Sequence, residues 1–141
     1  MKDHIVIVGS GDMAISYLRV LRKHHPTRSV LIVDKKIDRV RQLELSESYG
    51  AEVITGDITH DFLIKELRLH RCRRVALMGD DNFQAFEAAS KILRLYPRLE
   101  HRIIIHCQSL RFLRAMQETQ IAKQSISFNS YNLAAKGLVQ D

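Results

Sequence analysis

Short apolar runs alternate along the chain with longer stretches in which apolar residues recur every three or four positions. The first two runs, at 5–8 and 30–33, are continuously apolar and are followed by Gly9 and Asp34. Such runs are typical of strands buried on both faces of a parallel sheet. Four later segments continue the series, at 51–54, 75–78, 103–105 and 125–128. The pattern predicts six short strands.

The stretches between the strands have the spacing of amphipathic helices. Their recurring apolar residues predict the side chains that face the sheet: Ile15, Leu18 and Leu21; Ile37, Val40 and Leu43; Phe62, Leu63 and Leu67; Phe83, Phe86, Ala89, Ile92 and Leu93. A last stretch, at 132–139, predicts a helix that starts near Ser130 and runs into the chain end. We therefore expect the chain to be excised from a longer protein, and the alternative is a natural small protein with a frayed end.

Regular alternation of strand and helix predicts the fold class. Helices long enough to cross back over the sheet indicate an α/β, Rossmann-like, doubly wound and mainly parallel six-stranded sheet with helices on both faces. A length of 141 residues suits a single domain, 1–141. Because the carboxyl ends of parallel strands share one edge of the sheet, a ligand is expected just beyond those ends.

The composition is that of a globular protein, with 45% hydrophobic and 27% charged residues. No apolar run approaches the length of a membrane-spanning helix, and the start lacks the apolar region of a signal peptide, so we expect a cytoplasmic domain. Cys72 and Cys107 lie far apart without metal-binding spacing, which predicts reduced, buried thiols.

A net charge of +6 raises the question of an anionic partner. One dense basic group stands out, formed by Arg68, His70, Arg71, Arg73 and Arg74. It suits a solvated rim, a docking site for an acidic partner, or attraction to anionic lipid headgroups. Binding to nucleic acid would rest on net charge alone, so no nucleic-acid partner is expected.

A glycine-rich segment between the first strand and the first helix is the main candidate for chemistry. Gly9, Ser10, Gly11, Asp12, Met13 and Ala14 match the GxGxxA form of the dinucleotide fingerprint. Gly9 permits a tight turn, Gly11 lets the backbone approach a diphosphate, and Ala14 keeps the helix close to the sheet. Asp12 is expected to cap the helix with its side chain. The helix N-terminus would then face the phosphates.

An acidic residue at the end of the second strand completes the fingerprint. Asp34 lies where a carboxylate accepts hydrogen bonds from the ribose hydroxyls of an adenosine. Its charge would repel a 2′-phosphate, so NAD, NADH, AMP, ADP or ATP fit better than NADP. Lys35 follows directly, either as a contact for a phosphate or as a solvated lysine.

Three more groups follow later strands at the same edge. Gly56, Asp57 and Ile58 lie where an adenine ring would rest, although Asp57 also suits an ordinary turn. Met78, Gly79, Asp80 and Asp81 border the cleft, and Asp80 with Asp81 either binds a cation or begins a helix. His106 ends the fifth strand, where it either contacts a phosphate or the second half of a dinucleotide, or is a satisfied strand-end histidine. No catalytic set or metal-binding spacing occurs, so neither an enzyme nor a metal site is expected.

These motifs, in this order, resemble one known family. From about His4 to Leu133 the chain is similar to the TrkA-N domain, also called the RCK N-terminal domain, of potassium channels and transporters. The glycine loop, the Val33–Asp34 pair, the turn at 55–57 and the junction at 76–83 carry the resemblance.

The resemblance implies a cytosolic regulatory domain that binds NAD(H) or another adenine nucleotide without catalysis. It also implies homo-oligomers, dimeric or in higher rings, and a pore domain or subunit that would hold the domain at the cytosolic face of the membrane. Two other interpretations stay open: an assembly module without nucleotide, and a small NAD-dependent oxidoreductase, which would need a general acid or base and a substrate lobe.

Overall fold

A computed structural model describes residues 2–129 and arranges the strands within them into one six-stranded sheet. The strands are β1 Ile5–Val8, β2 Val30–Asp34, β3 Glu52–Thr55, β4 Arg74–Leu77, β5 Ile103–His106 and β6 Ile126–Phe128. Their order across the sheet is β3-β2-β1-β4-β5-β6, and every neighbouring pair is parallel. The predicted α/β class is confirmed, and each strand boundary lies within one residue of its predicted position.

The connections between strands are mostly helical. The helices are α1 Asp12–His24, α2 Arg39–Leu43, α3 Asp61–Glu66, α4 Asn82–Leu95, α5 Leu110–Met116 and α6 Gln120–Lys123. A π-helical turn, Glu44–Ser48, extends α2, and a 3₁₀ turn, Pro97–Leu99, follows α4. Within residues 2–129, no helix is both long and apolar enough to cross a bilayer. The helix predicted at 132–139 lies outside the described residues.

The chain reverses its direction of travel across the sheet between β1 and β4. It moves outward from β1 to β3, returns through α3 to β4, and then moves outward again to β6. In doubly wound sheets this reversal opens a crevice at the carboxyl ends of the two central strands, where the flanking loops diverge. The order of strands therefore places the loops after β1 and β4 on either side of one crevice.

Helices cover both faces of the sheet with separate apolar clusters. On one face α1 buries Leu18 and Leu21 in the same cluster as Ile7 and Ile32 of the central strands. On the other face α3, α4 and α5 pack over the alternate side chains of β1, β2, β4 and β5. Burial of such fully apolar strands contributes about 25 cal/mol for each Å² removed from water. Both predicted thiols, Cys72 and Cys107, are free and buried, as expected.

Four predicted core positions are wrong. Val40 and Leu43, in α2, are 80% and 43% exposed, whereas the fully buried residue of that region is Leu45 in the π-helical turn. The α2 helix has little more than one turn before the geometry changes to π-helical. The three-to-four-residue spacing of its apolar side chains therefore does not predict which side chains face the sheet. Phe62 and Phe83 occupy the first turns of α3 and α4, beyond the edge of the sheet, and are 76% and 75% exposed.

Candidate functional site

A cavity of about 250 Å³ lies at the carboxyl edge of the sheet, where the loops after β1 and β4 diverge. Four segments that the sequence singled out meet in its wall. The lining residues that the sequence predicted are Gly9, Ser10, Gly11, Asp34, Lys35, Gly56, Ile58, Met78, Gly79, Asp80 and Asp81. The fold therefore assembles loops from four different strands around one space.

Gly9 makes the tight turn after β1 that the sequence predicted. Its backbone has φ of +115°, and its N–H donates to the carbonyl oxygen of Val33 at 2.7 Å. A Cβ atom at this position would lie 2.9 Å from the carbonyl carbon and oxygen of Met78. Both the backbone angle and the close approach of the β4 loop therefore require glycine.

The N-terminus of α1 opens toward the cavity without a side-chain cap. Gly11 is the N-cap residue, so the N–H groups of the first turn receive no side-chain hydrogen bond from it. Free N–H groups and the positive end of the helix dipole attract anions. A Cβ atom on Gly11 would have no protein atom within 4 Å, so space remains in front of this helix end.

The expectation that Asp12 caps α1 is wrong. Because Gly11 takes the N-cap position, Asp12 becomes the first helical residue, with a fully exposed side chain. Its carboxylate oxygen Oδ1 lies 3.5 Å from Nη2 of Arg41 in α2. Asp12 lies outside the cavity wall, and so do the next two residues of α1, Met13 and Ala14, which pack on the sheet.

Asp34 presents its carboxylate at the cavity wall with both oxygens already oriented. The hydroxyl of Ser10 donates to Oδ2 at 2.7 Å, and the backbone N–H of Lys35 donates to Oδ1 at 2.7 Å. Each carboxylate oxygen accepts more than one hydrogen bond, so acceptor capacity remains for a ligand. The geometry suits recognition of a pair of hydroxyl groups.

The turn after β3 shapes the side of the cavity next to Asp34. Gly56 donates its N–H to the carbonyl of Asp34 at 2.8 Å, and Ile58 supplies a buried apolar wall. The hydroxyl and then the backbone N–H of Thr59 donate to Asp57, which lowers the pKa of that carboxyl. Asp57 lies outside the cavity wall, 3.7 Å from Nζ of Lys35. It acts as the turn residue that the sequence allowed.

The loop after β4 and the first turns of α4 close the opposite side. Asp81 is the N-cap of α4 and accepts a hydrogen bond from the N–H of Gln84 at 3.1 Å, which confirms the helix-start interpretation for Asp81. Asp80 accepts from the side-chain amide of Gln108 at 3.1 Å. Within residues 2–129, no cluster of three His, Cys, Asp or Glu side chains has metal-binding geometry.

Five lining residues were not predicted. They are Val8, Leu77, Gln84, Ala85 and Ala88. Three of the five lie in α4, whose first two turns face the cavity. The feature of the sequence that could have predicted this side of the cavity is the pair Ala85 and Ala88, three positions apart on one face of α4. Small side chains at such positions let a helix approach a ligand closely.

His106 ends β5 as predicted but lies outside the cavity wall. Its ring is 4% exposed and packs on Phe128, with ring centroids 5.4 Å apart. Within the described part of the chain neither ring nitrogen has a hydrogen-bond partner. Burial lowers the pKa of His106, and the nearby carboxylate of Asp80 acts in the opposite direction. The predicted phosphate contact of His106 therefore has no direct geometric support.

The charges around the cavity are predominantly negative. Among its described lining residues, three carboxylates, those of Asp34, Asp80 and Asp81, face a single lysine, Lys35. That lysine already lies close to Asp57. A bound anion would therefore depend on the N-terminus of α1 more than on side-chain cations.

Comparison with known families gives one match over most of the chain. The family model of the TrkA-N domain matches residues 5–127. Among characterised proteins, the voltage-gated potassium channel Kch of Escherichia coli is 28% identical over 81 residues. The aligned part is 57% of this chain and only 19% of the channel, so the chain corresponds to a small portion of that protein.

Solved structures share the fold at low sequence identity. The TrkA-N domain of the inner membrane protein ybaL from Escherichia coli superposes with a TM-score of 0.73 at 16% identity, covering 99% of this chain and 96% of that one. The Kef CTD of Shewanella denitrificans in its AMP-bound form has a TM-score of 0.69 at 14% identity, covering 98% and 82%. The GsuK channel bound to NAD has a TM-score of 0.68 at 16% identity, covering 90% and 21%.

Proposed function

Because this chain belongs to the TrkA-N domain family, we propose that it is a regulatory domain that binds an adenine nucleotide and couples its binding to potassium transport. One observation carries the proposal: the cavity between the β1 and β4 loops combines a glycine turn, an uncapped helix N-terminus and a strand-end carboxylate. Each of these three features suits a different part of a nucleotide.

The proposed binding mode follows from the wall of the cavity. The phosphates lie at Gly9, Ser10 and Gly11, where the N–H groups of the first turn of α1 donate to them. The ribose hydroxyls donate to the Asp34 carboxylate, whose orientation Ser10 fixes. The adenine ring lies against Ile58, next to Gly56.

NAD or NADH is the proposed ligand, with AMP as the next candidate and ADP and ATP as weaker ones. The structures of similar fold that contain NAD and AMP support the class of ligand. The carboxylates of Asp34, Asp80 and Asp81 oppose the higher charge of a polyphosphate. Asp34 also disfavours NADPH, because its carboxylate would repel the 2′-phosphate that lies next to it in the proposed binding mode.

The coupling that we propose is a shift between two conformations. A nucleotide that contacts both the α1 end and the α4 side binds better to a closed cleft than to an open one, so it favours the closed form. Neighbouring copies in a homo-oligomer would pass this change to a pore subunit or pore domain at the cytosolic face of the membrane. No reaction is part of this function, since none of the described lining residues forms a catalytic set.

Conductance of the full-length protein tests the coupling. Recordings with the cytosolic side perfused by NADH, NAD, AMP or ATP are expected to change with at least one nucleotide, and the change is expected to vanish in an Asp34→Ala variant. A conductance that ignores every adenine nucleotide, in a protein whose isolated domain binds one, would refute the coupling while leaving the site intact.

A further inference from the structure

The edge of the sheet opposite the cavity carries a broad basic surface, which we call the basic edge. It consists of the loops at 2–4, 23–29, 67–73 and 97–102, which precede β1, β2, β4 and β5. Among these described residues, eight lysine and arginine side chains face two carboxylates: Lys2, Lys23, Arg28, Arg68, Arg71, Arg73, Arg98 and Arg102 against Asp3 and Glu100. The dense basic group of the sequence, apart from Arg74 in β4, is one part of this surface.

Hydrogen bonds join these loops into one continuous surface. The N–H of Asp3 donates to the carbonyl of Arg71 at 2.9 Å, and the guanidinium of Arg28 donates to the carbonyl of Asp3 at 3.0 Å. Arg98 donates to the carbonyls of Leu69, His70 and Cys72. The loops that carry the cations are therefore held together, with the side chains of Arg28 and Arg98 as links between them.

Several cations of the basic edge make no side-chain contact with the described residues that would stabilise the fold. Lys23, Arg68 and Arg71 are exposed, and within residues 2–129 none of their side chains forms an ion pair or a hydrogen bond. Arg74, which the sequence grouped with them, is different, because it is 8% exposed and hydrogen-bonds to the hydroxyl of Tyr17. A cation near the C-terminal end of a helix interacts favourably with the helix dipole, but this interaction explains only part of the excess of cations over carboxylates on the basic edge.

The two edges of the sheet have opposite charge. The loops of the cavity edge, at 9–12, 34–38, 56–61 and 79–81, contain seven aspartates and two lysines among the described residues. Parallel strands place all their amino ends on one side and all their carboxyl ends on the other. The domain therefore presents a positive face at one end and a negative, ligand-accessible face at the other.

We propose that the basic edge lies against the surface of a membrane that contains anionic lipids. Such a surface attracts clustered lysine and arginine side chains without requiring a shaped pocket. A protein partner would need an apolar centre, and none of the exposed large apolar side chains of the described residues belongs to these loops. A single-stranded nucleic acid would need stacking aromatic rings, and the four loops contain no Phe, Tyr or Trp. In this orientation the cavity faces the solution.

Sedimentation with lipid vesicles tests the proposal. The full chain is expected to pellet with vesicles of equal parts phosphatidylcholine and phosphatidylglycerol, not with phosphatidylcholine alone, and to dissociate as salt is raised. Neutralising Lys23, Arg68 and Arg71 to Gln is expected to weaken binding by about fivefold for each cation removed. The matched control neutralises three exposed cations away from the basic edge, Lys36, Arg111 and Arg114, and is expected to change vesicle binding much less.

Three outcomes would overturn the proposal. The first is an absence of binding to the anionic vesicles at low salt. The second is an equal loss of binding in the two triple variants, which would show a response to net charge alone. The third is tight binding of a mixed-sequence RNA that depends on Lys23, Arg68 and Arg71 while vesicles are ignored, which would assign the basic edge to nucleic acid. Unchanged circular dichroism of both variants establishes that they are folded.

Discussion

The hydroxyl of Ser10 donates a hydrogen bond to carboxylate oxygen Oδ2 of Asp34 at 2.7 Å, across 24 positions of the chain. The contact joins the turn after β1 to the end of β2, so the turn proposed for the phosphates and the carboxylate proposed for the ribose share one hydrogen bond. The backbone N–H of Lys35 holds the other oxygen at 2.7 Å. Together these donors fix the carboxylate before any ligand arrives.

Replacement of Ser10 by alanine tests this orienting role. Without the hydroxyl, the carboxylate loses one of its two fixed donors, so we expect the affinity for an adenine nucleotide to fall about three- to tenfold. A Ser10→Thr variant retains a hydroxyl and is expected to recover part of the affinity. Isothermal titration of the two variants measures the difference. An alanine variant that binds as tightly as the wild type would show that Ser10 does not orient Asp34 for binding.

Substitutions at the two glycines of the loop, Gly9 and Gly11, are expected to have different effects on stability. Gly9→Ala places a Cβ 2.9 Å from the Met78 carbonyl at φ of +115°, so we expect a loss of about 2–5 kcal/mol in the free energy of unfolding. A Cβ at Gly11 would meet no protein atom within 4 Å, so the free energy of unfolding of Gly11→Val is expected to stay within about 1 kcal/mol of the wild type. Denaturant titration measures both values.

Nucleotide binding is expected to show the role of Gly11 in the site, as distinct from any role in stability. The valine side chain of Gly11→Val would fill the space in front of the α1 end, so we expect it to abolish nucleotide binding although the protein stays folded. Stable protein that binds the nucleotide normally would place the phosphates elsewhere.

The charges around the cavity predict an order of nucleotides. Asp34, Asp80 and Asp81 line the cavity with Lys35 as the single cation of the described wall. We therefore expect AMP and NAD to bind more tightly than ATP, and NADH more tightly than NADPH. Asp80→Asn is expected to strengthen ATP binding about two- to fivefold while changing AMP binding less. Titrations at low and high salt measure this effect. An ATP affinity above that of AMP would contradict the charge argument.

Two buried histidines predict a dependence of stability on pH. Burial lowers the pKa of His4 and of His106 in the folded protein. As the pH falls below about 6.5, the unfolded chain takes up these protons before the folded one does. Stability is therefore fully present above that pH and is lost as the pH falls.

Denaturant unfolding at about pH 7.5 and pH 5.5 measures the histidine effect, because the carboxylates whose pKa values are lowered, Asp57 and Asp61, act at more acid pH. A His106→Leu variant is expected to lose less stability on acidification than the wild type. His24→Gln, at an exposed position, is the matched control and is expected to behave like the wild type. Equal stability at both pH values in the wild type would contradict the prediction.

The sheet was predictable from the sequence because its strands are continuous apolar runs that alternate with helical stretches, a combination typical of parallel strands covered on both faces. The glycine turn and Asp34 were predictable because the chemistry of the turn fixes residue types at fixed spacings. The buried side of α2 was not predictable, because a helix of five residues is too short for the spacing of its apolar residues to show which side faces the sheet. Gly11 and Asp12 are both residue types favoured at an N-cap, so the sequence did not decide between them.

The direct test of the proposed site is a calorimetric titration of the domain with NADH, NAD, AMP, ADP, ATP and NADPH, in the wild type and in Asp34→Ala. Binding of at least one nucleotide without a 2′-phosphate is expected, weakened about ten- to a hundredfold in the variant through the loss of hydrogen bonds to a charged acceptor. Absence of binding by all six nucleotides to folded wild-type protein, or equal binding by wild type and variant, would contradict the proposed site.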